Sequence, residues 1–419
     1  MPVRIAVTAA LALAVLVLPP DARPRSLVLA VSSEGEFQAA LSALRSSGGT
    51  IVLRPGDYPS LVVPPRSSRP LQITGTRGVR VGQILFDRTQ HVSLGGMTVV
   101  PFGEDALVEV RTSSAIDLHD LVVTAQGTPY SSSVLLPDAR GVTIRRSRFT
   151  HCGDQSVDFV NCVLLYRWSK HITIEENWFH DCRGCDFIHG RFGSDLTIRR
   201  NRLERALPCR ISFNRCRHQD LIELFAGRRL RVEGNRFGVY RRGGAQLYLT
   251  NAVDHVTIVN NVFLGTDRRL PGYAARVGLI VGSRESRRIP HYVKVVNNTI
   301  LTGRRRRDGY LGSIRVSSLY GALPRRLRPV FANNVIGRLE GRWPVCDSAR
   351  VSTANIVLRG RACSKSDWVG DAALDALGRP TKESELLIDS ANRSLAPRTD
   401  ITGRRRDRLP DIGAYEFRD

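Results

Sequence analysis

The chain contains 419 residues, of which 42% are hydrophobic and 24% are charged, and these globular proportions exclude an intrinsically disordered protein. Lys and Arg total 62 against 39 Asp and Glu, so the formal net charge is +23 and the surface should attract polyanions. Charge alone does not distinguish nucleic acid, acidic polysaccharide and an anionic cell envelope.

The N-terminus predicts export. Arg4 precedes an uncharged stretch from Ile5 to Leu18, and these 14 residues are too few for a membrane span, which needs ~20. A basic start followed by a short apolar run is typical of a secretory signal peptide, and Val28-Leu29-Ala30 is an acceptable cleavage site. We therefore expect a signal peptide at 1–30 and a secreted or periplasmic protein without an integral membrane segment. An uncleaved anchor is the alternative.

Cysteine usage agrees with export. There are eight Cys residues, and six of them lie between Cys152 and Cys216. An even number in an exported chain predicts disulfides. The Cys182-x-x-Cys185 pair, with His180 and His189 nearby, could instead belong to a redox or zinc site, but the second CxxC of a structural zinc site is missing.

A degenerate repeat runs through the chain, with the pattern apolar-x-apolar-x-x-Asn-x-apolar. A clear copy is Leu196-Thr-Ile-Arg-Arg-Asn201-Arg-Leu. Each unit has the alternation and the β-branched residues of a short strand, and no helical stretch separates the units. The Asn-equivalent positions are 76, 97, 121, 147, 177, 201, 235, 261, 298 and 334, so successive units are 21 to 37 residues apart.

This spacing favours a solenoid of parallel strands, because parallel strands need long connections and none of these connections looks helical. The units should stack at the strand spacing of ~4.8 Å and form a parallel β-helix of about ten coils. The Asn side chains should then form a hydrogen-bonded ladder at a bend. A propeller or sandwich would show two-residue hairpin turns, and few are visible.

Both ends of such a coil need covering. The stretch from Glu34 to Arg45 predicts an N-terminal capping helix, since Phe37, Leu41 and Leu44 share one helical face. We expect the β-helix and its N-terminal cap at 31–363. The remaining segment, 364–419, lacks the repeat and is predicted to cap the other end.

Two stretches carry a resemblance to a known family. Phe37-Gln-Ala-Ala-Leu and then Gly48-Gly-Thr-Ile-Val-Leu-Arg-Pro-Gly-Asp-Tyr58 resemble the opening of secreted pectate-lyase-like right-handed parallel β-helix proteins. The tail, with Leu387-Ile-Asp and Asp411-Ile-Gly-Ala-Tyr-Glu416, is similar to that of many bacterial members. The resemblance implies a right-handed β-helix. The superfamily includes uronate lyases, hydrolases, C5-epimerases and non-catalytic surface proteins, so the activity must be argued from the site.

Alignment of the coils predicts a polar column. Phe159, Phe187, Leu221 and Leu247 should point inward and the residue before each of them outward. Carboxylates at ~5 Å steps repel each other, so such a column implies a cation, raised pKa values or Arg partners. The predicted column is Asp158, Asp186, Asp220 and Gln246, of which the three Asp residues could hold Ca²⁺.

The densest group of chemically capable residues surrounds Asp220. His218 and Asp220 are two apart on a strand and should face the same side, where the carboxylate would orient an acid/base histidine. Arg241 would pair with a substrate carboxylate, and Tyr248 would supply a phenol near the leaving oxygen. The catalytic candidates are therefore His218, Asp220, Arg241 and Tyr248, and the substrate-binding candidates are Arg242, Gln246, His189, Arg191 and Glu223.

These groups fit β-elimination on a uronate, which needs a neutralised carboxylate, a base for the C5 proton and an acid for the O4 leaving group. We therefore expect an exported, monomeric enzyme that cleaves an acidic polysaccharide and needs no cofactor, or Ca²⁺. A C5-epimerase would use the same carboxylate neutralisation, and a glycoside hydrolase would use two carboxylates of the column. A non-catalytic protein that binds polysaccharide or the envelope is the alternative from another class. Nucleic acid is not an expected partner, because no recognition motif appears.

The alignment of successive coils also predicts disulfides. Cys152 and Cys182 each lie five residues after a ladder position, so they should stack on adjacent coils within the Cα distance of a disulfide. Cys209 and Cys216 could close a short loop before His218. Cys346 and Cys363 could fasten the C-terminal side, which leaves Cys162 and Cys185 unassigned.

Overall fold

The structure is a computed structural model that describes residues 27–65, 69–101, 107–124, 132–152, 161–183, 186–207, 220–238, 244–265, 277–282, 288–302, 313–339 and 345–418. Its helices are α1 (Glu34–Ala43), α2 (Val345–Ser348) and two 3₁₀ turns (Ser318–Ala322 and Arg325–Leu327). No helix in these ranges is long and apolar enough to cross a membrane.

Short strands make up most of the described chain, and every pairing between them is parallel. In chain order they are β1 (Val28–Val31), β2 (Gly49–Leu53), β3 (Gly56–Val63), β4 (Leu71–Gly75), β5 (Val79–Asp87), β6 (Gln90–Gly95), β7 (Thr98–Val99), β8 (Val108–Arg111), β9 (Ser114–His119), β10 (Val122–Thr124), β11 (Val134–Pro137), β12 (Arg140–Arg145), β13 (Arg148–Thr150), β14 (Asn161–Tyr166), β15 (Lys170–Glu175), β16 (Trp178–His180), β17 (Asp186–Arg199), β18 (Arg202–Glu204), β19 (Ile222–Glu233), β20 (Arg236–Phe237), β21 (Ala245–Val259), β22 (Val262–Phe263), β23 (Val277–Val281), β24 (His291–Val296), β25 (Thr299–Ile300), β26 (Ile314–Val316), β27 (Val330–Ala332), β28 (Val335–Ile336), β29 (Val351–Thr353), β30 (Ile356–Val357) and β31 (Trp368–Val369).

The strands wind through three parallel sheets in turn, which confirms the predicted parallel β-helix. Sheet 1 follows the order β1-β2-β4-β6-β9-β12-β15-β17-β19-β21-β24-β27-β29, and sheet 2 the order β3-β5-β7-β10-β13-β16-β18-β20-β22-β25-β28-β30-β31. Sheet 3 contains the ten strands β3-β5-β8-β11-β14-β17-β19-β21-β23-β26 among the described residues. The long strands, such as β17, bend at a corner and so contribute to two sheets.

Apolar columns fill the inside of the coil, because every second residue of each strand points inward. Ile144, Ile174 and Ile198 occupy equivalent positions on successive coils and are fully buried. Phe149 and Phe179 stack in the same way, with ring centroids 4.7 Å apart. Each such side chain contributes ~1.5–3 kcal/mol by leaving water, so the repeat supplies most of the stabilising free energy.

The predicted asparagine ladder is present at the bend between sheets 1 and 2. Each Asn side chain accepts the backbone N–H of the equivalent residue one coil earlier, as Asn235 does from Asn201 at 3.0 Å. The side-chain amides also bond to each other, so the bend has a continuous buried hydrogen-bond chain. Its members are Asn177, Asn201, Asn235, Asn261, Asn298, Asn334 and Asn355, and it ends on Asp367.

At the N-terminal end, α1 confirms the predicted helix. Its first turn is capped by the Ser33 hydroxyl, and Phe37, Leu41 and Leu44 are buried against the first coils. Residues 1–26 lie outside the described residues. Since β1 begins at Val28, the predicted signal-peptide boundary at residue 30 falls within a strand, and the signal peptide itself stays a prediction.

The C-terminal segment begins at the end of the coil, where β31 pairs with β30 and Asp367 ends the ladder, and then lies along the side of the coils. Side-chain amides at the bend donate to its backbone: Asn260 to Thr399, Asn297 to Asp411 and Asn333 to Asn392. The physical reason is that the outer face of sheet 2 is apolar there. It presents Val262, Val335 and Ile356, which pack against Ala372, Leu387, Ile412 and Ala414.

Two disulfides are described, and one of them corrects a prediction. The Cys346–Cys363 pair is confirmed. Cys152 bonds to Cys162, and Cys182 is a buried free thiol, so the predicted Cys152–Cys182 pair is wrong. Cys152 and Cys182 do lie on adjacent coils, but Cys162 enters the interior between them, with its Sγ 3.2 Å from that of Cys182. The predicted Cys209–Cys216 pair lies outside the described residues.

Candidate functional site

The outer face of sheet 3 is where the longest central connections enter the coil. Residues 205–221 lead into β19, and 264–276 lead into β23. Side chains that begin these strands are therefore placed beside the inserted segments, as loops on a rigid scaffold usually carry binding and catalytic residues.

A column of three polar residues faces outward on adjacent coils of sheet 3. His189 in β17 pairs with Glu223 in β19, which pairs with Tyr248 in β21. Adjacent coils are ~4.8 Å apart, so the three side chains form one continuous patch. The same column continues into Leu164 on one side and Ile280 on the other, which leaves a polar patch between apolar neighbours.

Two carboxylates hold the imidazole of His189. Its Nδ1 lies 2.8 Å from Oδ2 of Asp186 and 3.4 Å from Oε2 of Glu223, and its side chain is only 17% exposed. The other ring nitrogen, Nε2, has no partner among the described residues. An Nδ1–H fixed by carboxylates directs Nε2 toward the outer surface.

The electrostatics of this group favour an imidazolium. Burial opposes protonation, but the hydrogen bonds to Asp186 and Glu223 and their charges outweigh it and raise the pKa of His189 to about 10. Burial raises the pKa of Asp186, and the bond from His189 acts against that rise. At neutral pH His189 therefore carries a proton on Nε2 that it can donate, and it is too basic to serve as a general base.

Arg191 and Phe225 extend the patch along the strand direction. The guanidinium carbon of Arg191 lies 5.0 Å from the centre of the Phe225 ring, and that ring is 5.3 Å from the His189 ring. Phe225 reaches this position because the pairing of β17 and β19 has an irregularity there. The stacking holds an exposed positive charge beside the imidazolium.

The predicted outward carboxylate column is wrong for the described residues. Asp186 and Asp220 are 4% and 1% exposed. Oδ1 of Asp186 accepts the backbone N–H of Asp220 at 2.7 Å, and Oδ1 of Asp220 accepts that of Ala245. Asp186 begins β17 and Asp220 lies just before β19, at a corner of the coil where a side-chain acceptor satisfies the N–H of the next coil.

Gln246 also differs from its predicted role. It is fully buried, and its Nε2 donates to the carbonyls of Gly238 and Leu264 at 2.6 and 3.0 Å. The pairing of β19 with β21 aligns Leu221 with Gln246, one position away from the alignment expected. Gln246 therefore points into the coil and cannot touch a substrate on the outer face.

Four predicted residues lie outside the described residues: Asp158, His218, Arg241 and Arg242. Among the predicted site residues that are described, the structure brings together four on the outer face: His189, Arg191, Glu223 and Tyr248. Asp220 lies at the corner behind them. The role of Asp186 as partner of His189 was not predicted. The sequence does not indicate this contact, because residues three apart on a regular strand, as Asp186 and His189 are, face opposite sides.

Asp186, His189 and Glu223 place one potential metal-ligand atom each within 4.8 Å of the others. Calcium prefers an all-oxygen shell of six to eight ligands, whereas here an imidazole nitrogen lies between the carboxylates. Because that imidazole carries the positive charge, Asp186, His189 and Glu223 do not fit a calcium ion. The calcium site expected on Asp158, Asp186 and Asp220 stays a prediction, since Asp158 lies outside the described residues.

Comparisons with known proteins agree with this fold. A family model described as the right-handed β-helix region matches residues 106–300. No curated protein matches the sequence. Among solved structures, the pectate lyase Pel9A is 13% identical, with a TM-score of 0.54 over 94% of this chain and 97% of that chain.

Two further similar structures have other activities. The surface adhesin PfbA of Streptococcus pneumoniae is 10% identical, with a TM-score of 0.48 over 72% of this chain and 80% of its own. The A-module of the mannuronan C-5 epimerase AlgE4 of Azotobacter vinelandii is 13% identical, with a TM-score of 0.36 over 70% of this chain and 89% of its own. At 13% identity the likeness to Pel9A shows the fold alone and leaves the activity open. The chain thus has the fold of a right-handed parallel β-helix.

Proposed function

We propose that this protein is an exported enzyme that cleaves an acidic, uronate-containing polysaccharide by β-elimination on the outer face of sheet 3. The observation that carries the proposal is the His189 imidazole, whose Nδ1 is held by the carboxylates of Asp186 and Glu223, so that Nε2 is directed toward the outer face that also carries Arg191 and Tyr248. A cationic donor pair of this kind is suited to bind a carboxylate.

Each residue then has one task. The His189 Nε2–H and Arg191 bind the uronate carboxylate and stabilise the negative charge that grows on it when the C5 proton leaves. Tyr248 is the proton donor for the O4 leaving group. We assign the base to His218 and a further carboxylate contact to Arg241, both on the connections that lead into β19 and β21.

The imidazolium supplies the positive charge that a lyase of this kind needs next to the substrate carboxylate. We therefore propose that no calcium ion is required at this site. The net charge of +23 favours the approach of a polyanionic chain, and the Cys346–Cys363 disulfide fits an oxidising compartment.

The test uses the purified full chain and a panel of uronate polysaccharides, each with Ca²⁺ or a chelator. Absorbance of the new C4–C5 double bond is followed together with reducing ends. We expect both signals to rise with and without Ca²⁺. His189→Gln should lower kcat/KM by ~10²–10³, as does the loss of one transition-state hydrogen-bond donor.

His291→Gln is the matched control, because His291 also pairs with a carboxylate, Asp254, at 3.3 Å but lies outside the column. Equal activity of the His189 and His291 variants would contradict the assignment. Reducing ends without absorbance would indicate a hydrolase. Exchange of the C5 proton with solvent deuterium without cleavage would indicate a C5-epimerase. Binding of the polysaccharide without cleavage and without proton exchange would indicate a non-catalytic polysaccharide-binding protein.

A further inference from the structure

A second polar cluster lies on the outer face of sheet 1, on coils that precede the site described above. A groove of about 780 Å³ opens there, and Gln72, Ser93, His119 and Arg145 line it. None of these residues was singled out from the sequence, because a serine, a histidine and an aspartate scattered over two coils form no recognisable motif.

The register of β6 and β9 brings Ser93 and His119 together. His119 pairs with Gly95, and the imidazole lies across that glycine: a Cβ at position 95 would be 2.5 Å from the ring Nδ1. The absence of a side chain at Gly95 allows the ring to reach the neighbouring coil. There its Nε2 lies 3.0 Å from the hydroxyl oxygen of Ser93.

The other ring nitrogen contacts a carboxylate. Nδ1 of His119 lies 2.7 Å from Oδ2 of Asp120, and Arg146 holds the same carboxylate through bonds of 3.0 and 2.8 Å. Asp120 adopts a left-handed conformation with φ of 52°, which ends β9 at this point. Because the Asp120 carboxylate accepts a hydrogen bond from Nδ1, the proton of the neutral ring is on Nδ1, and the Nε2 lone pair faces the serine hydroxyl.

Asp117 is a competing acceptor for the Ser93 proton. The Ser93 hydroxyl also donates to Oδ2 of Asp117 at 3.3 Å, which is longer than its 3.0 Å contact with the imidazole. Arg145 donates to both oxygens of Asp117, at 2.8 and 2.7 Å. The serine proton is thus better placed to move to His119.

Other histidine–aspartate pairs of the described chain lack this arrangement. His180 also contacts the next residue, Asp181, at 2.6 Å, but its Nε2 accepts a bond from Arg148 at 2.7 Å and is not accessible as a base. His171 contacts Asp195 at 3.1 Å, with no serine hydroxyl on its ring. Of the described pairs, only His119–Asp120 has a hydroxyl on the second nitrogen.

We propose that Ser93, His119 and Asp120 form a second active site that hydrolyses short acyl esters, with Ser93 as nucleophile, His119 as general base and Asp120 as positioning residue. The site is independent of the proposed lyase activity. It has the nucleophile–base–carboxylate geometry that recurs on unrelated folds.

The reaction balances with water as the only co-reactant. The Ser93 oxygen attacks the ester carbonyl carbon while its proton moves to Nε2 of His119, and the same proton then leaves with the alcohol as the C–O bond breaks. Water next attacks the acyl-serine, gives one proton to His119 and releases the carboxylic acid, and the proton returns to Ser93. Gln72, opposite Ser93 on the preceding coil, provides an amide donor for the oxyanion.

The groove indicates a small acyl group. It is open to solvent, and its described wall combines hydroxyl, amide, imidazole, carboxylate and guanidinium groups with short apolar surfaces at Pro70, Leu71, Val92 and Ala115. A long acyl chain would need a deep apolar pocket. An acetyl-sized ester carried on a polar molecule fits this surface.

The test is covalent labelling of the folded full chain with a fluorophosphonate probe, followed by peptide mass spectrometry, together with hydrolysis of p-nitrophenyl acetate. We expect the label on Ser93 and its loss in Ser93→Ala. His119→Gln should lower hydrolysis by ~10²–10⁴-fold. Asp120→Asn should lower kcat with little change in KM, which a merely structural role would not produce.

His171→Gln is the matched control and should behave like the wild type. Absence of the label from Ser93 in the folded wild-type protein would overturn the proposal, whatever the folding of the variants. So would hydrolysis that survives Ser93→Ala. Because the substrate is an aryl ester and His189 takes no part, the outcome is separate from that of the lyase test.

Discussion

Replacement of Asn235 by Ala should reveal what the asparagine ladder contributes to stability. The Asn235 side chain makes four buried hydrogen bonds: its Oδ1 accepts from the backbone N–H and Nδ2 of Asn201, and its Nδ2 donates to the carbonyl of Ile198 and to Oδ1 of Asn261, all at 2.8–3.0 Å. At ~1 kcal/mol net for each bond, their loss sums to ~4 kcal/mol. The backbone N–H of Asn201 would also remain buried without this acceptor.

We therefore expect Asn235→Ala to lower the free energy of unfolding by about 3–5 kcal/mol, measured by urea unfolding with circular dichroism. Asn235→Asp keeps the acceptor but loses both donors, so it should be at least as destabilising as Ala. Arg231→Ala is the control on the same coil, because Arg231 makes an exposed ion pair with Glu233, which is worth less than ~1 kcal/mol. Equal stability of the Asn235 and Arg231 variants would refute this account of the ladder.

Three further predictions concern charge and thiol groups. Because the pKa of His189 is raised from 6.5 to about 10, its stabilising contribution is complete below pH ~6.5 and is lost as the pH rises through 10. The difference in unfolding free energy between wild type and His189→Gln should shrink over that range, and a constant difference would contradict the assigned proton. Cys182 should react with a maleimide only after unfolding in urea without reductant, and labelling of the native protein would contradict its burial. Arg406→Ala leaves the buried Glu416 carboxylate without its partner at 2.7 Å, so it should lower the free energy of unfolding by ~3–5 kcal/mol. Arg393→Ala, at an exposed position, should change that free energy little in the same urea titration.

The coil architecture could be predicted because its signal is repeated. Thr173 and Thr197, or Ile174 and Ile198, occupy the same place in successive units, and the structure pairs them as the sequence alignment did. The position of His189 opposite Glu223 follows from the same repeat and is confirmed. Wherever a unit keeps its length between the strand and the asparagine, the sequence alone determines which side chains share a column.

The corners could not be predicted in this way. Asp186 and Asp220 were expected outside because alternation was applied through a bend, where the chain turns its side chain toward the next backbone N–H. Gln246 is offset by one position because β21 pairs with β19 so that Leu247 lies opposite Ile222 and not opposite Leu221. The contact of Ser93 with His119 depends on the lack of a side chain at Gly95, a feature of packing that has no periodic signature.

The C-terminal segment changes how the molecule should come apart. In a stack where each coil touches only its neighbours, unfolding begins by fraying at whichever end is weaker. Here the coils that carry Asn260, Asn297 and Asn333 are all hydrogen-bonded to the same C-terminal segment. The last of these coils therefore cannot unfold until the segment has detached from all three. The C-terminal coils should therefore exchange their amide protons as one cooperative block, and partial unfolding should start from the coils nearest α1.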